Sequence, residues 1–412
     1  MSPEGRHAFG ARVAELRAQR GLTQKELAAE IGRTMSWLSQ VERGVQPVNR
    51  LDVLRLLARS LGVEPHELRP DAPRAEEPGF VARSNDLDRV RLLLSGHPAP
   101  GALLASGPKK VEVPFPELRA GLEHVWSLAH GGMMAELSDS LSKLVPRLES
   151  LARTARGHER PQVYGMLARA YQAMAAAFVR QNEADAAWVA ADRAIAAAEM
   201  SGRVLDIFAG SFRLAHACLR LKRYDQAEHV AQSAVNALAR HLETGDTEET
   251  PGVLSLLGSL HLVLAQVHAR CGNRSAARGE VGSARRAAER LGEDRNDFNL
   301  EFGPTNVEIQ AVSVAVDLGD AGEALDIGAR LDASGLSVER QARLALDIGR
   351  AHAQLRHLEE ALQSFLDAEQ LAPETIQSHV AARSAIRDLM RIEGRAASPE
   401  LRALAQRADA LS

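Results

Sequence analysis

The sequence predicts an all-α protein, a small five-helix head followed by a long array of helix hairpins, on three observations. Aromatic residues are only 4% of the 412 residues while alanine-rich runs recur, a composition that suits closely packed helices rather than sheets. The stretch Leu22 to Gly44, LTQKELAAEIGRTMSWLSQVERG, has the spacing of two short helices meeting at a tight turn. Farther on, a helix end followed by a buried-type alanine and a second helix recurs as NEADAA, KRYDQA, GNRSAA, GDAGEA and RHLEEA. The key residues are Ala187, Ala227, Ala277, Ala324 and Ala361, at intervals of 40, 50, 47 and 37.

Within the head, residues 8–20 put Phe9, Val13 and Leu16, with Leu22 after them, toward one side of a first helix. Thr23 caps a second helix, with Glu26 three residues on completing a capping box; Leu27, Ala28 and Ile31 form its apolar face and Gly32 ends it. Thr34 caps a third helix, with Leu38 and Val41 inward and Met35, Ser36, Ser39, Gln40 and Arg43 outward. That outward face is short, polar and uncharged except at its end. Such a face suits a helix laid into a major groove with a cation near phosphate. Asn49 caps a fourth helix through Leu51, Leu54, Leu57, Ala58 and Leu61, and a short turn over Pro65 to Leu68 closes the head. Arg50 stands at the mouth of that fourth helix, placed either to meet phosphate or to stay solvated.

The pattern T-Q-x-x-L-A at Thr23 to Ala28, the turn residue Gly32, and W-L-S-x-V-E-x-G at Trp37 to Gly44 resemble the helix-turn-helix of the Xre family of phage-repressor and Cro-like domains. The resemblance covers roughly residues 8–69. It implies that Gln24 contacts phosphate, that Thr34, Met35, Ser36 and Gln40 face bases, and that Trp37 and Arg43 touch the backbone of double-stranded DNA. Ser39 and Arg50 complete the candidate DNA-binding residues. Met35 departs from the polar residue usual at its position, which makes one base contact apolar, of the kind a thymine methyl accepts.

Charge divides in the same sense. The first 70 residues carry eleven Arg and Lys against eight Asp and Glu, a balance of +3, which leaves −7 for the rest of a chain whose net charge is −4. A mildly basic head makes few phosphate contacts alone, so two copies per site, a homodimer, are expected. No run of 18 apolar residues occurs and the first ten residues lack a signal pattern, so a cytoplasmic protein with no membrane partner is expected. Cys218 and Cys271 read as two reduced, buried side chains. Gly131-Gly132 is a turn and not a phosphate loop, and His261 and His268 share a helical face without a third ligand. No enzyme activity, cofactor or metal is expected.

The domains expected are 1–69, the head; 70–116, a linker opening on PDAPRAEEPG and holding a short helix around Asp86 to Leu94; and 117–412, the repeat body, in which dimerisation and ligand sensing are placed. The body resembles tetratricopeptide repeats lengthened beyond their usual period of about 34. Helices at 118–129, 133–155 and 374–411 extend or cap the array. Counting back from Asn182, Lys222, Gly272, Gly319 and Arg356, the groove-facing positions of that family fall on Arg169, Gln172, Phe212, His216, Gln266, Asn306, Ser313, Arg343 and Arg350. A lining with cations and no carboxylates suits an extended, carboxylate-bearing peptide; the alternative is a solvated groove with no ligand. The segment NDFNLEFGPTNVEIQ, 296–310, sets Phe298 and Phe302 beside a helix cap at Thr305. Phe302 is thereby either a ligand contact or a plug between repeats.

This order of head and body resembles actinobacterial Xre-type regulators with repeat bodies and peptide-responsive regulators of the Rgg, PlcR and NprR kind. The resemblance implies a small DNA-binding head followed by an α-solenoid of tetratricopeptide-like hairpins, and a sequence-specific DNA-binding transcriptional regulator whose body senses a peptide or small-molecule effector. The alternative is a protein-docking scaffold tethered to DNA by its head.

Overall fold

The computed structural model describes residues 3–31, 35–45, 48, 54, 57–58, 60–61, 63, 68, 87–95, 114–243, 250–373, 376 and 379–410. Its contacts divide the chain into two compact units, Met1–Asn85 and Asp86–Ser412. Every named element is helical, apart from two short 3-10 turns.

The head is built on α1 (Pro3–Gln19), α2 (Gln24–Glu30) and α3 (Met35–Glu42). The capping box forms: the Thr23 backbone N–H donates to Glu26 Oε2 at 2.8 Å, and the Glu26 N–H donates to Thr23 Oγ1 at 3.2 Å. Phe9, Val13, Leu16, Leu27, Ala28, Ile31, Leu38 and Val41 are buried together with Val48, Leu54, Leu57, Ala58, Leu61 and Leu68. Gly10 lets α1 cross the end of α3, because a Cβ there would stand 2.4 Å from the Val41 carbonyl oxygen and 2.5 Å from that of Glu42. An ion pair locks the same crossing. Arg17 Nε and Nη2 donate to the two oxygens of Glu42 at 2.6 and 3.0 Å, Arg17 Nη1 donates to the Leu22 carbonyl at 2.8 Å, and Gln24 Nε2 donates to Glu42 Oε2 at 2.6 Å. One carboxylate at the end of α3 thus ties down α1, the turn and α2.

The body contains α4 (Asp88–Ser95), α5 (Phe115–His130), α6 (Met134–Thr154), α7 (Glu159–Arg180), α8 (Ala184–Ser201), α9 (Val204–Arg220), α10 (Tyr224–Glu243), α11 (Pro251–Arg270), α12 (Arg274–Leu291), α13 (Pro304–Asp317), α14 (Ala321–Gly328), α15 (Val338–Gln354), α16 (Leu358–Leu371), α17 (Val380–Glu393) and α18 (Pro399–Arg407). The short helix of the expected linker, α4, packs in the body. Leu87, Val90 and Leu94 share a core with α5 to α8, and Arg91 pairs with Glu183 and Asp185.

From α7 to α16 the chain repeats one device. Each first helix ends at a residue in the left-handed region: Asn182 (φ 59°), Lys222 (58°), Gly272 (75°), Gly319 (81°) and Arg356 (60°). The next residue's N–H then bonds back to a carbonyl five residues earlier: Glu183 to Phe178, Arg223 to Cys218, Asn273 to His268, Asp320 to Ala315 and His357 to His352, at 2.8 to 3.0 Å. This Schellman closure satisfies helix-end carbonyls and reverses the chain. The key alanines Ala187, Ala227, Ala277, Ala324 and Ala361 are each 0% exposed, since only a methyl fits where the paired helices meet. Gly132 (φ 74°) makes the same turn between α5 and α6, adding a hairpin upstream.

Several expectations are corrected. Residues 374–411 are not one helix: Gly394 (φ 56°) and Pro399 separate α17 from α18. Thr305 does not cap α13, which starts at Pro304; instead its own N–H donates to Asp294 Oδ1 at 3.0 Å. Cys271 is exposed, although Cys218 is buried and both thiols are free. Outside those corrections, His261 Nδ1 is hydrogen-bonded to Glu280 Oε2 at 2.6 Å. Helix α11 is long and apolar enough to cross a membrane by composition, but 78% of its apolar window is buried in the body.

Gly10→Ala is expected to destabilise the head by about 1–3 kcal/mol, the usual cost of overpacking, because backbone and not a flexible side chain receives the methyl. Thermal melting of residues 1–85, followed at Trp37 fluorescence, checks this; an unchanged midpoint contradicts it.

Candidate functional site

On the head, packing of Leu38 and Val41 turns the opposite face of α3 outward. Met35 is 55% exposed, Ser36 and Arg43 are exposed, and Ser39 and Gln40 are half-buried. Trp37 packs against the head core and the Arg43 Nε donates to the Ser39 carbonyl at 3.2 Å, so its guanidinium is steadied at the helix end. Gln24 is half-buried and its amide donates to Glu42, which engages the group expected at phosphate. Thr34 and Arg50 lie outside the described residues.

In the body, the first helices α7, α9, α11, α13 and α15 line one cavity of about 90 Å3. Of the residues expected there, Phe212, His216, Gln266, Asn306 and Arg343 do line it. Arg169 is drawn away to Glu123, 2.9 Å, and Gln172 is buried, its Nε2 donating to the Asp206 carbonyl at 3.2 Å. Phe302 is wholly buried and occupies the place of a Gly258 side chain, the ring lying 1.9 Å from where a Cβ would be, so it is the plug between repeats. Arg350 lines a neighbouring cavity, where it donates to Asp317 and Asp347 at 2.6 Å each.

The expectation of a carboxylate-free lining fails. Glu339 lines the cavity, and Arg343 donates to the fully buried Asp347 at 3.1 Å. Cations still prevail, because Arg180, Arg213, Arg220, Arg340 and Arg343 all face the cavity against the single carboxylate of Glu339. Arg180, Arg220, Glu339 and Arg343 also line an adjoining cavity of about 370 Å3, which places them where the two meet.

Three of these arginines have weak or incomplete partners. Arg213 Nη2 donates to the Asn299 carbonyl at 2.8 Å and its guanidinium lies over the Trp126 and Phe212 rings at 5.4 and 5.1 Å, yet its Nε is buried with no hydrogen bond. Arg340 Nη2 donates to the Leu300 carbonyl at 3.3 Å, while its buried Nε has only ion-pair neighbours, Glu301 at 3.5 Å and Glu339 at 3.7 Å. Arg220 has no hydrogen-bond or ion-pair partner among the described residues. Asn306, 3% exposed, carries a buried amide oxygen without a partner.

The electrostatics follow from this crowding. Burial first, then neighbouring cations, push Arg213 and Arg220 down to about 9, so both stay charged at neutral pH. Burial and the arginines push His216 well below its usual range, leaving it neutral. Burial works to raise the Glu339 carboxyl, but Arg180, Arg340 and Arg343 together outweigh it and hold it at about 2.

The sequence carried a missed signal. Arg180, Arg220 and Arg270 each stand two residues before the left-handed turn residue, in RQN, RLK and RCG, so a cation recurs at the last turn of three successive first helices. Arg213, seven residues before Arg220, extends that row along one face of α9.

Residues 8–70 match the family model described as a helix-turn-helix domain. Among solved structures, the chain is similar to that of Bacillus thuringiensis PlcR in complex with the peptide PapR7 and DNA, with 12% identity over 89% of this chain and 96% of that one and a TM-score of 0.33. It is also similar to the apo form of the competence regulator ComR from Streptococcus vestibularis, with 15% identity over 76% of this chain and 98% of that one and a TM-score of 0.22. No curated protein matches the chain.

Arg220→Met is expected to raise the unfolding free energy of the unliganded protein by about 1 kcal/mol, as replacing a half-buried, unpaired charge with apolar volume does once solvent screening is allowed for. The sign follows from linkage: the folded pKa lies below the unfolded value of 12.5, so the penalty is fully present below about pH 9 and fades as pH rises toward 12.5. Urea unfolding at pH 7 checks it, and a lower midpoint for the variant contradicts it.

Proposed function

We propose that the protein is a sequence-specific DNA-binding transcriptional regulator, homodimeric on its operator, whose helical body binds an anionic effector in the arginine-lined cavity. The observation that carries the DNA half is the face of α3. A helix anchored by Leu38, Val41 and the Arg17–Glu42 pair holds Met35, Ser36 and Gln40 toward solvent and ends in the exposed Arg43. Such a helix offers hydrogen-bonding and apolar groups at base edges and one cation at phosphate, and its rigid mount fixes their register. The head balance of +3 makes one copy weak on DNA, so two heads on half-sites about one helical turn apart supply the affinity. The match of residues 8–70 to a helix-turn-helix domain supports the same reading. The effector half rests on five arginines facing one glutamate.

Selection of duplexes from a random pool by the full chain, followed by footprinting, tests this. An enriched, roughly palindromic site protected on both halves is expected; no enrichment, or protection of a single half-site, sinks the reading. On that site Gln40→Ala is expected to cost about 1–3 kcal/mol and to relax base preference, whereas Arg43→Ala weakens cognate and random DNA alike and lowers the salt slope by about one. Equal losses from both variants on both DNAs would show that α3 does not read bases.

A further inference from the structure

We propose that the arginine cavity takes a compact phosphorylated small molecule and not an extended peptide, with Arg213, Arg220 and Arg340 on the phosphoryl oxygens. The proposal deepens the effector half of the preceding reading and rests on it only for the link to DNA.

Charge density is the first ground. Five guanidinium groups face about 90 Å3; Glu339 lies among them, Glu301 reaches Arg340 and Asp347 takes Arg343, which leaves about two positive charges without a carboxylate, Arg213 and Arg220 of α9. A phosphoryl group concentrates about two negative charges and three strong acceptors on one centre, whereas a peptide carboxylate brings one charge.

Hydrogen-bond type is the second. The lining is rich in donors, since each guanidinium has about five N–H groups in a rigid fork and accepts nothing. An extended peptide brings backbone N–H groups of its own, which need acceptors, and here donors outnumber acceptors. Gln266 Nε2 donates to Gln310 Oε1 at 2.6 Å, Glu339 is within ion-pair reach of Arg180 at 3.8 Å and Arg340 at 3.7 Å, and Glu339 Oε2 and Asn306 Oδ1 are the buried acceptors without a hydrogen bond. An all-acceptor ligand matches the guanidinium face better than a peptide backbone does.

The third ground is what stands unpartnered. Arg213 Nε and Arg340 Nε are buried without hydrogen bonds, as are the Asn306 amide oxygen and Glu339 Oε2, and the half-buried Arg220 has no partner among the described residues. Buried polar groups are normally satisfied, so a cluster of unsatisfied ones at one cavity marks a place where a ligand completes them. With its amide group turned about, Asn306 offers an N–H donor to the same anion. The organic part has a place as well: Phe212 and Leu262 give an apolar wall, and the adjoining cavity of about 370 Å3 has the size of a small-ligand site.

The full-length chain is titrated, at fixed ionic strength, with inorganic pyrophosphate, with citrate as a tricarboxylate of similar charge, and with a triglutamate peptide, by calorimetry and thermal shift. One pyrophosphate per chain is expected to bind saturably, to raise the melting temperature, and to bind about tenfold or more tighter than either carboxylate probe. Arg220→Met is expected to weaken pyrophosphate about tenfold or more, the value of a lost charge-assisted contact. Asn306→Asp, which keeps the shape and adds a repelling charge, is expected to do the same and serves where the first variant fails to fold. No saturable pyrophosphate binding, unchanged binding in both variants, or tighter binding of triglutamate or citrate each overturns the proposal. Pyrophosphate binding that leaves operator affinity unchanged upholds the cavity assignment and sinks the sensing half of the earlier reading. A chain that binds its operator but ignores pyrophosphate loses the cavity assignment alone.

Discussion

The body depends on one backbone constraint, the left-handed residue that ends each first helix. Asn182, Lys222 and Arg356 adopt it without being glycine, at a cost of about 1 kcal/mol or more each, and the Schellman bonds that follow offset it. Because the same closure recurs at every hairpin from α7 to α16, and a buried alanine sits at the same place after each turn, the first helices meet their neighbours at like heights. Residues far apart in sequence, such as Arg180, Arg220, Gln266 and Arg343, are thereby brought to one cavity. The arginine cluster is a consequence of repeated turn chemistry and not of any local motif.

What keeps the cations from driving the helices apart is a second set of charges placed one layer behind them. Asp347, 0% exposed, takes Arg343 and Arg350; Asp317 takes Arg350 and Arg270; Glu301 reaches Arg340. Burial works against the Asp347 carboxylate, yet Arg343 and Arg350 hold its pKa well below the ordinary range. This compensation covers α13 and α15 and does not extend to α9, where Arg213 and Arg220 face the void with carbonyl, ring or no partners. The positive potential is therefore concentrated on one helix, next to the polar groups of α11 and α13.

Most of the architecture was legible because it is periodic. The capping box, the head core and the five hairpin turns each follow from residue types at fixed offsets. The same counting that located the turns reached Phe212, His216, Gln266, Asn306 and Arg343 at the cavity. It failed where a neighbour's identity decides. Arg169 points along the right face but Glu123, 46 residues earlier, captures it, and Gln172 is consumed by a backbone carbonyl of the adjoining helix. A lining that looked free of acid was not, because Glu339 lies near the start of α15 and outside the positions counted. Gly10 and Glu42 were unreadable for a similar reason: a helix crossing sets their role, and no local pattern announces which glycine or carboxylate stands at it.

The cluster is also not something the fold requires. Around it lie extended apolar cores, and a methionine or leucine in place of Arg220 would keep most of the volume filled without placing a charge there. The roof is similarly expensive: Phe298, Asn299 and Glu301 all stand at positive φ, and the carbonyls that hold Arg213 and Arg340 belong to Asn299 and Leu300 in that same loop. Left-handed non-glycine residues persist only where surrounding contacts over-determine them, and here Phe302 wedged at Gly258 and Glu301 bonded to Ser337 supply that restraint. The half-buried arginines of α9 and the left-handed loop over Phe298, Asn299 and Glu301 therefore meet at one cavity, the first through ring, carbonyl or no partners and the second through the carbonyls it lends them, and the proposed effector site rests on that meeting.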